Sequence, residues 1–209
     1  MQNFLNKIGA KIKGAGTNEI EIEGVKKLKE ISYNVMPDRI ETGTFLCAAA
    51  MSQGNIIIEN TNINHITPII SKLEEANCKL KLEKDKIELK APKKLKALEI
   101  RTMPYPGFPT DMQSIFVENI FESRYKFTQE LIRMGAKITI EGKSAIVKGT
   151  RKLYGANVNA TDLRGGAALV LAGIVAKGET TIENIEYILR GYENLNKKLE
   201  NLGVNIKMV

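Results

Sequence analysis

The sequence predicts an α/β (α+β) fold made of repeated βαβαββ units packed around buried helices. Two observations lead to this prediction: four junctions that resemble one another, each running from a helix into a strand, and two apolar helices that each begin at an aspartate. The chain has 209 residues, of which 43% are hydrophobic and 26% charged, so it is long enough to bury a substantial core.

The four junctions share one pattern, in which an amphipathic helix ends at a glycine or asparagine and a strand follows. Because these residues tolerate a left-handed backbone, we predict a left-handed helix cap at each position. The caps are Gly9, Asn77, Gly135 and Gly203, so the two outer intervals are equal in length and the middle interval is shorter. The spacing indicates tandem copies of one unit, with a shortened copy in the middle.

The two apolar helices show where the middle copy is short. Asp38 and Asp162 each begin such a helix, and a Glu-Asn pair follows both of them at the same separation along the chain. In the middle unit Asp111 lies much closer to the equivalent pair, which ends at Asn119. We therefore expect a stretch of about 14 residues, the equivalent of the apolar helix and its turn, to be lacking after Gln113. This stretch is either deleted from the protein or missing from this sequence.

The remaining elements follow in the order of the repeat. Residues 1–30 are interpreted as the last part of a unit of an earlier domain, with a helix at 2–8 and a hairpin pairing 11–13 with 19–23. Residues 31–209 are interpreted as a second domain of three units, at about 31–97, 98–153 and 154–209. Alternating apolar residues and turn residues predict hairpins pairing 79–82 with 86–90 and 137–140 with 145–148.

The other predicted elements are amphipathic helices and single strands. Apolar residues recur at helical spacing in residues 66–75, 123–134 and 192–202. Short β-branched runs predict strands at residues 56–60, 98–101, 181–184 and 204–206.

Composition excludes several classes of function. A single histidine, His65, and the two separated cysteines, Cys47 and Cys78, provide no metal-binding set and fit a reducing cytoplasm. No apolar run is long enough to span a membrane, and the first residues do not resemble a secretion signal. The net charge of +7 favours an anionic ligand, either a nucleic acid or a phosphorylated small molecule. We expect no cofactor.

The segment from Arg101 to Gln113 is rich in proline, with three prolines and a glycine at residues 104–109. Proline restricts its own backbone and that of the preceding residue, which predicts a stiff, extended loop rather than a helix or central strand. The loop ends at Thr110 and Asp111, a pair typical of a helix start. By chemistry alone, Asp111 is either a helix cap or a carboxylate that the loop delivers to a functional site.

Five segments together resemble the UDP-N-acetylglucosamine enolpyruvyl transferase (1-carboxyvinyltransferase) family, in the family's own order. They are residues 104–113 (PYPGFPTDMQ), 37–43 (PDRIETG), 121–125 (FESRY), 160–164 (ATDLR) and 190–193 (RGYE). The resemblance covers essentially all 209 residues. The motifs of the related shikimate-pathway enolpyruvyl transferase fit less well. The resemblance implies an inside-out α/β barrel of two domains, of which this chain is similar to the carboxy-terminal half.

The resemblance also implies an activity and its site. The family transfers the enolpyruvyl group of phosphoenolpyruvate to the 3-hydroxyl of UDP-N-acetylglucosamine, a cytoplasmic step of peptidoglycan synthesis. It implies that Asp111 is the catalytic base and a sugar contact. It implies further substrate contacts at Ile120, Arg124, Asp162, Arg164 and Arg190. Asp162 could equally be only a helix cap, and Asp38 and Arg39 match a motif that we interpret as structural or hinge residues.

The resemblance leaves part of the family's machinery unaccounted for. The family's Lys-Asn pair and its reactive cysteine belong to the other half, so we expect this chain to need that half and to be inactive alone. Leu189 and Tyr187 depart from the acidic residue and histidine common near the arginine motif. Two alternatives remain: a non-catalytic module that binds phosphorylated sugars, and an RNA-associated protein, although the chain lacks an aromatic and basic stripe. We expect neither nucleic acid nor membrane as a partner.

Overall fold

The computed structural model describes residues 1–116, 126–141, 144–148 and 152–209. The chain divides into two compact units, Met1–Pro37 and Asp38–Val209. The structure does not test the predicted assignment of residues to two domains and three repeats, which stays a prediction. The predicted helix at 123–134 begins outside the described residues.

The first unit consists of a short helix followed by a hairpin. Helix α1 spans Gln2–Lys7, and strands β1 (Lys11–Lys13) and β2 (Glu21–Glu23) pair antiparallel. The side chain of Asn6 holds the helix against the hairpin, because its amide both accepts from the backbone N–H of Ile12 and donates to the carbonyl of Ile12, each at 2.8 Å. The second strand lies where it was predicted, but β2 is two residues shorter than the predicted 19–23.

The second unit contains the other described elements. Its helices are α2 (Arg39–Met51), α3 (Thr67–Glu75), α4 (Gln113–Phe116), α5 (Lys126–Arg133), α6 (Leu163–Val175), α7 (Glu186–Leu189) and α8 (Leu195–Asn201). Its strands are β3 (Asn55–Glu59), β4 (Lys79–Leu82), β5 (Lys86–Lys90), β6 (Lys137–Glu141), β7 (Ser144–Lys148), β8 (Asn157–Asn159) and β9 (Thr181–Glu183). The sheets are antiparallel β3-β5-β4, antiparallel β6-β7 and parallel β8-β9.

Two features of the backbone agree with the pattern from which the repeat was predicted. Helices α2 and α6 each have 13 residues and each begin directly after an aspartate. All four predicted cap residues have a left-handed backbone, with φ of 102° at Gly9, 71° at Asn77, 93° at Gly135 and 90° at Gly203. The prediction of left-handed caps is therefore confirmed.

The apolar helices lie at the centre of the second unit. Helices α2, α4 and α6 pack against one another, and most residues of α2 and α6 are buried. This arrangement confirms the predicted mixed fold, with the strands arranged in small separate sheets. Among the described strands, no sheet closes into a barrel.

Three sequence predictions differ from the structure. Residues 98–101 and 204–206 pair with no strand in the described part of the chain and therefore do not count as strands, although Ile100 is buried. The helix expected at 192–202 begins only at Leu195, because the preceding residue, Asn194, has a left-handed backbone with φ of 50°. In the first two segments the residues favour a strand, but no neighbouring strand pairs with them in the described part of the chain. In the third, the backbone of Asn194 delays the start of the helix.

Two glycines of α6 provide a matched test of packing around that helix. A Cβ at Gly166 would lie 2.6 Å from Ile188 Cγ1, whereas a Cβ at Gly173 would lie at an ordinary 3.4 Å from Thr180 Cβ. We expect Gly173→Ala to stabilise the fold by about 0.5–1 kcal/mol through helix propensity. Gly166→Ala should destabilise it by about 1–3 kcal/mol through overpacking. Urea unfolding measures both, and equal effects of the two substitutions would contradict this packing.

A buried thiol predicts the response of the fold to alkaline pH. Burial, reinforced by Cys78, raises the pKa of the Cys47 thiol far above its ordinary value of 9.0. Above pH 9 the unfolded chain therefore loses this proton while the folded chain keeps it, and the free energy of unfolding falls as the pH rises. Cys47→Ala should reduce this fall by roughly 1 kcal/mol per pH unit between pH 9 and 10.5. An unchanged slope in that window would contradict the prediction, and equal slopes between pH 7 and 8 serve as the control.

Candidate active site

The proline-rich loop is folded back on itself rather than fully extended as predicted. The Met103 backbone N–H donates to the Phe108 carbonyl at 3.0 Å, and the Gly107 N–H donates to the Pro104 carbonyl at 2.8 Å. A Cβ at Gly107 would lie 2.6 Å from Met103 Cβ, so this turn accommodates only glycine. The Tyr105–Pro106 peptide bond is cis. The prolines therefore stiffen a compact turn.

Buried residues on both sides of Asp111 anchor the end of this loop. Phe108 is buried and packs edge-on against Phe116, with ring centroids 5.2 Å apart. Met112 is fully buried and contacts α2 at Gly43, where a Cβ would lie 2.7 Å from Met112 Cε. A short 3-10 helix, Thr110–Met112, leads from the loop into α4. Asp111 is thus held between two packed hydrophobic side chains while its own side chain is half exposed.

The three aspartates of the repeat are used in two different ways. The Asp38 carboxylate accepts from the Ile40 N–H at 2.8 Å, and the Asp162 carboxylate accepts from the N–H groups of Arg164 and Gly165 at 3.0 and 2.8 Å. Both are therefore helix caps. The Asp111 carboxylate makes no such cap within the described residues, because the cap position of its 3-10 helix is Pro109. The carboxylate of the middle unit is left available for another purpose.

Arg164 forms an ion pair with that carboxylate. Its Nε lies 3.9 Å from Asp111 Oδ1, too far for a hydrogen bond but close enough for electrostatic attraction. Arg164 is the second residue of α6, and only 18% of its side chain is exposed. Its Nε and Nη1 atoms are buried and have no hydrogen-bond partner among the described residues. Buried guanidinium donors without partners are costly, and an anionic ligand would satisfy them.

A fully buried tyrosine lies beneath this arginine. The Arg164 guanidinium carbon is 5.2 Å from the centre of the Tyr192 ring, and the Tyr192 hydroxyl lies 2.9 Å from Thr44 Oγ1 on α2. Burial raises the pKa of Tyr192 above its ordinary value of 10.0, against the opposing effects of hydrogen bonding to Thr44, the Arg164 charge and hydrogen bonding to Arg164. The ring is therefore neutral at physiological pH.

Two neighbouring clefts flank the loop. One, of about 420 Å³, includes Asp111 and is lined by Arg39, Thr102, Met103, Pro104, Tyr105, Gly107, Pro109, Thr110 and Asp111. The hydroxyl of Thr102 in this cleft is buried and has no partner within the described part of the chain. The other, of about 330 Å³, lies against α3 and shares Arg39, Tyr105 and Gly107. The Arg39 guanidinium stacks on the Tyr105 ring at 5.6 Å between them.

The structure brings some of the predicted site residues together. Asp111 and Arg164 face each other, whereas the Asp162 carboxylate is occupied as a cap. Arg190 is exposed and stacks on Tyr187 at 5.4 Å, two residues before the tyrosine that underlies Arg164. Ile120 and Arg124 lie outside the described residues. The role of each residue toward a substrate stays a prediction.

Sequence reasoning missed two residues of this region. Arg39 was interpreted as a hinge residue, yet it lines both clefts. Tyr192 was noted only as part of a motif, and its contact with Thr44 joins residues 148 positions apart.

The described residues contain no cluster of His, Cys, Asp and Glu that could hold a metal ion. Within the same residues no helix has the length and apolar character needed to cross a membrane.

Comparison with known proteins gives three kinds of match. The family model described as EPSP synthase (3-phosphoshikimate 1-carboxyvinyltransferase) matches residues 1–199. A UDP-N-acetylglucosamine 1-carboxyvinyltransferase from Desulfofundulus thermocisternus is 50% identical, and the alignment covers 99% of this chain and 90% of that protein. The protein of the same name from Thermotoga maritima is 46% identical, with 100% of this chain and 53% of that protein covered.

Solved structures show the same architecture. The enolpyruvyl transferase NikO from Streptomyces tendae superposes with a TM-score of 0.84 at 26% identity, covering 99% of this chain and 53% of NikO. The EPSP synthase from Acinetobacter baumannii has a TM-score of 0.79 at 19% identity, a likeness of fold alone, covering 100% of this chain and 55% of that one. The chain thus spans about half the length of most of these relatives. The first alignment runs over 220 positions against the 209 residues of this chain, so that relative has residues without a counterpart here.

The different use of the aspartates can be tested by their effect on stability. Asp162→Ala and Asp38→Ala remove helix caps and should each lower the free energy of unfolding by about 1 kcal/mol. Asp111→Ala removes only a half-exposed charge and should change it by less than about 0.5 kcal/mol. Urea unfolding of the three variants provides the comparison. A loss for Asp111→Ala as large as that for Asp162→Ala would show that Asp111 is a cap after all.

Proposed function

Because this chain belongs to the carboxyvinyltransferase (enolpyruvyl transferase) family, we propose that it is the carboxy-terminal half of a UDP-N-acetylglucosamine 1-carboxyvinyltransferase. Identity of 46–51% with proteins of that name supports this acceptor over shikimate 3-phosphate. The observation that carries the proposal is the placement of Asp111. Its carboxylate is not used as a cap and faces an arginine whose buried donors lack a protein partner in the described residues.

The chemistry proposed for these residues is the chemistry that the family resemblance implies. Asp111 accepts the proton of the sugar 3-hydroxyl, which then attacks the central carbon of phosphoenolpyruvate. Arg164, together with Arg190 and Arg124, binds the phosphate and carboxylate groups, for which the guanidinium fork is suited. Ile120 and Asp162 contact the substrates, with Asp162 also capping α6. The acid that protonates the vinyl carbon belongs to the amino-terminal half. Phosphate then leaves while the new methyl carbon loses a proton, which restores the double bond of the enolpyruvyl product.

The first unit supports the need for that other half. Its apolar side chains Ile20, Ile22 and Val35 are 57%, 68% and 85% exposed. Exposed apolar side chains grouped in one short unit, Met1–Pro37, are typical of a surface that another part of a protein covers. We assign residues 1–30 to the end of the first domain and 31–209 to the second, whose middle unit lacks a stretch of about 14 residues after Gln113.

The cellular role follows from the activity. The reaction is the first committed step of peptidoglycan synthesis and so serves cell-wall growth, cell shape and division. We place the protein in the cytoplasm, where both substrates are found. No nucleic acid or membrane partner is part of the proposal.

The test is a phosphate-release assay with both substrates. The chain alone should show no turnover, and adding a separately produced amino-terminal half should give phosphate release that depends on UDP-N-acetylglucosamine. In the reconstituted enzyme, Asp111→Asn should lower the rate by at least about 100-fold, because it removes the general base. Glu19→Gln, an exposed change in the first unit, serves as the control.

Each remaining alternative has its own outcome. Turnover by the chain alone would overturn the need for the other half. Turnover with shikimate 3-phosphate instead of the nucleotide sugar would assign the other acceptor. Saturable calorimetric binding of UDP-N-acetylglucosamine with no turnover after reconstitution would favour a non-catalytic sugar module, and salt-dependent RNA binding would favour the RNA-associated class.

A further inference from the structure

We propose that Tyr192 is a positioning residue, whose buried ring holds the Arg164 guanidinium beside Asp111. The inference deepens the proposed function and rests on it, since it explains how the anion-binding arginine is oriented. Tyr192 itself is fully buried, so it acts through Arg164 and does not contact a substrate.

The ring is the main group that orients the guanidinium. Arg164 lies over its face at 5.2 Å, a distance at which a cation and an aromatic ring attract each other. The Nε and Nη1 atoms of Arg164 have no hydrogen bond within the described ranges, and Asp111 is 3.9 Å away. An arginine side chain has many rotamers, and the ring contact restricts those of Arg164. Stacking on the ring fixes its plane while leaving N–H groups free for an anion.

The ring is in turn fixed by a hydrogen-bonded tether to α2. Thr44 Oγ1 donates to the Ile40 carbonyl at 2.9 Å, so its only proton is used and the Tyr192 hydroxyl must donate to Thr44 at 2.9 Å. Thr44 is 1% exposed, and water does not compete for this bond. A close contact holds the neighbouring backbone as well, because a Cβ at Gly191 would lie 2.6 Å from Leu163 Cδ2.

The hydrogen bond from Tyr192 to Thr44 and the contact of its ring with Arg164 together connect two copies of the predicted repeat. Thr44 lies on α2 of the first copy, and Arg164 lies at the start of α6 in the last copy. Tyr192 contacts both residues, through its hydroxyl and through its ring. The orientation of the anion-binding arginine is therefore set by a side chain that no substrate touches.

The experiment measures the mobility of the Arg164 Nε–H bond by the heteronuclear NOE in the ¹⁵N-labelled chain of 209 residues. Arg164→Lys assigns the signal. Tyr192→Phe keeps the ring but loses the hydroxyl that makes the tether, so it should lower the NOE only to an intermediate value. Tyr192→Met fills a similar volume without a ring face and should lower the NOE to that of an exposed arginine such as Arg133. Thr44→Val removes the tether and should give an intermediate value. Tyr187→Met, which removes the ring under Arg190, should not change the Arg164 signal.

A rigid Arg164 signal in folded Tyr192→Met, as judged by circular dichroism, would overturn the inference. If Tyr192→Met does not fold, an unchanged signal in Thr44→Val overturns it instead. Titration of the enzyme reconstituted from both halves with phosphoenolpyruvate separates this inference from the proposed function. Tyr192→Met should bind about tenfold more weakly than wild type, and Tyr192→Phe, which keeps the ring but not the tether, should lie between the two. Absence of binding by the wild type, with the NOE pattern intact, would count against the proposed function alone.

Discussion

The buried guanidinium of Arg164 is the constraint around which the site is built. Two of its nitrogen atoms are removed from water and find no hydrogen-bond acceptor among the described residues. Such a group is expensive to bury, and the fold tolerates it by surrounding it with partial compensation. Tyr192 lies against its face, and the Asp111 carboxylate lies 3.9 Å from Nε. Neither replaces the anion that the geometry is suited to bind.

The repeat explains how this site arises within a regular fold. In two copies the aspartate at the start of the apolar helix caps that helix, and α2 and α6 have the same length. In the middle copy the proline-rich turn and the buried Met112 displace the aspartate from the cap position. Asp38 and Asp162 therefore cap helices, whereas the carboxylate of Asp111 makes no cap among the described residues and is available to a ligand. The site lies where the copies differ.

The sequence predicted the features that depend on local rules. Left-handed caps at Gly9 and Gly135, the lengths of the apolar helices and the pairing of the hairpins all follow from nearby residues. Residues 98–101 were predicted wrongly as a strand because a strand needs a pairing partner, which sequence pattern does not reveal. Tyr192 was missed because Thr44 is distant in the chain. For Asp111, the residue types alone left both a cap and a functional carboxylate open, and the structure shows no cap hydrogen bond to it among the described residues.

The most direct measurement of this account is the free energy of unfolding of Arg164→Met, determined by urea denaturation and compared with wild type. If Arg164 is kept for a ligand at the expense of stability, its apolar replacement should stabilise the fold by about 1 kcal/mol. Arg133→Met, which removes a surface arginine paired with Glu130, should change stability little. A loss of about 3 kcal/mol or more for Arg164→Met, as when a buried ion pair is broken, would show that Arg164 stabilises the fold and would contradict the account.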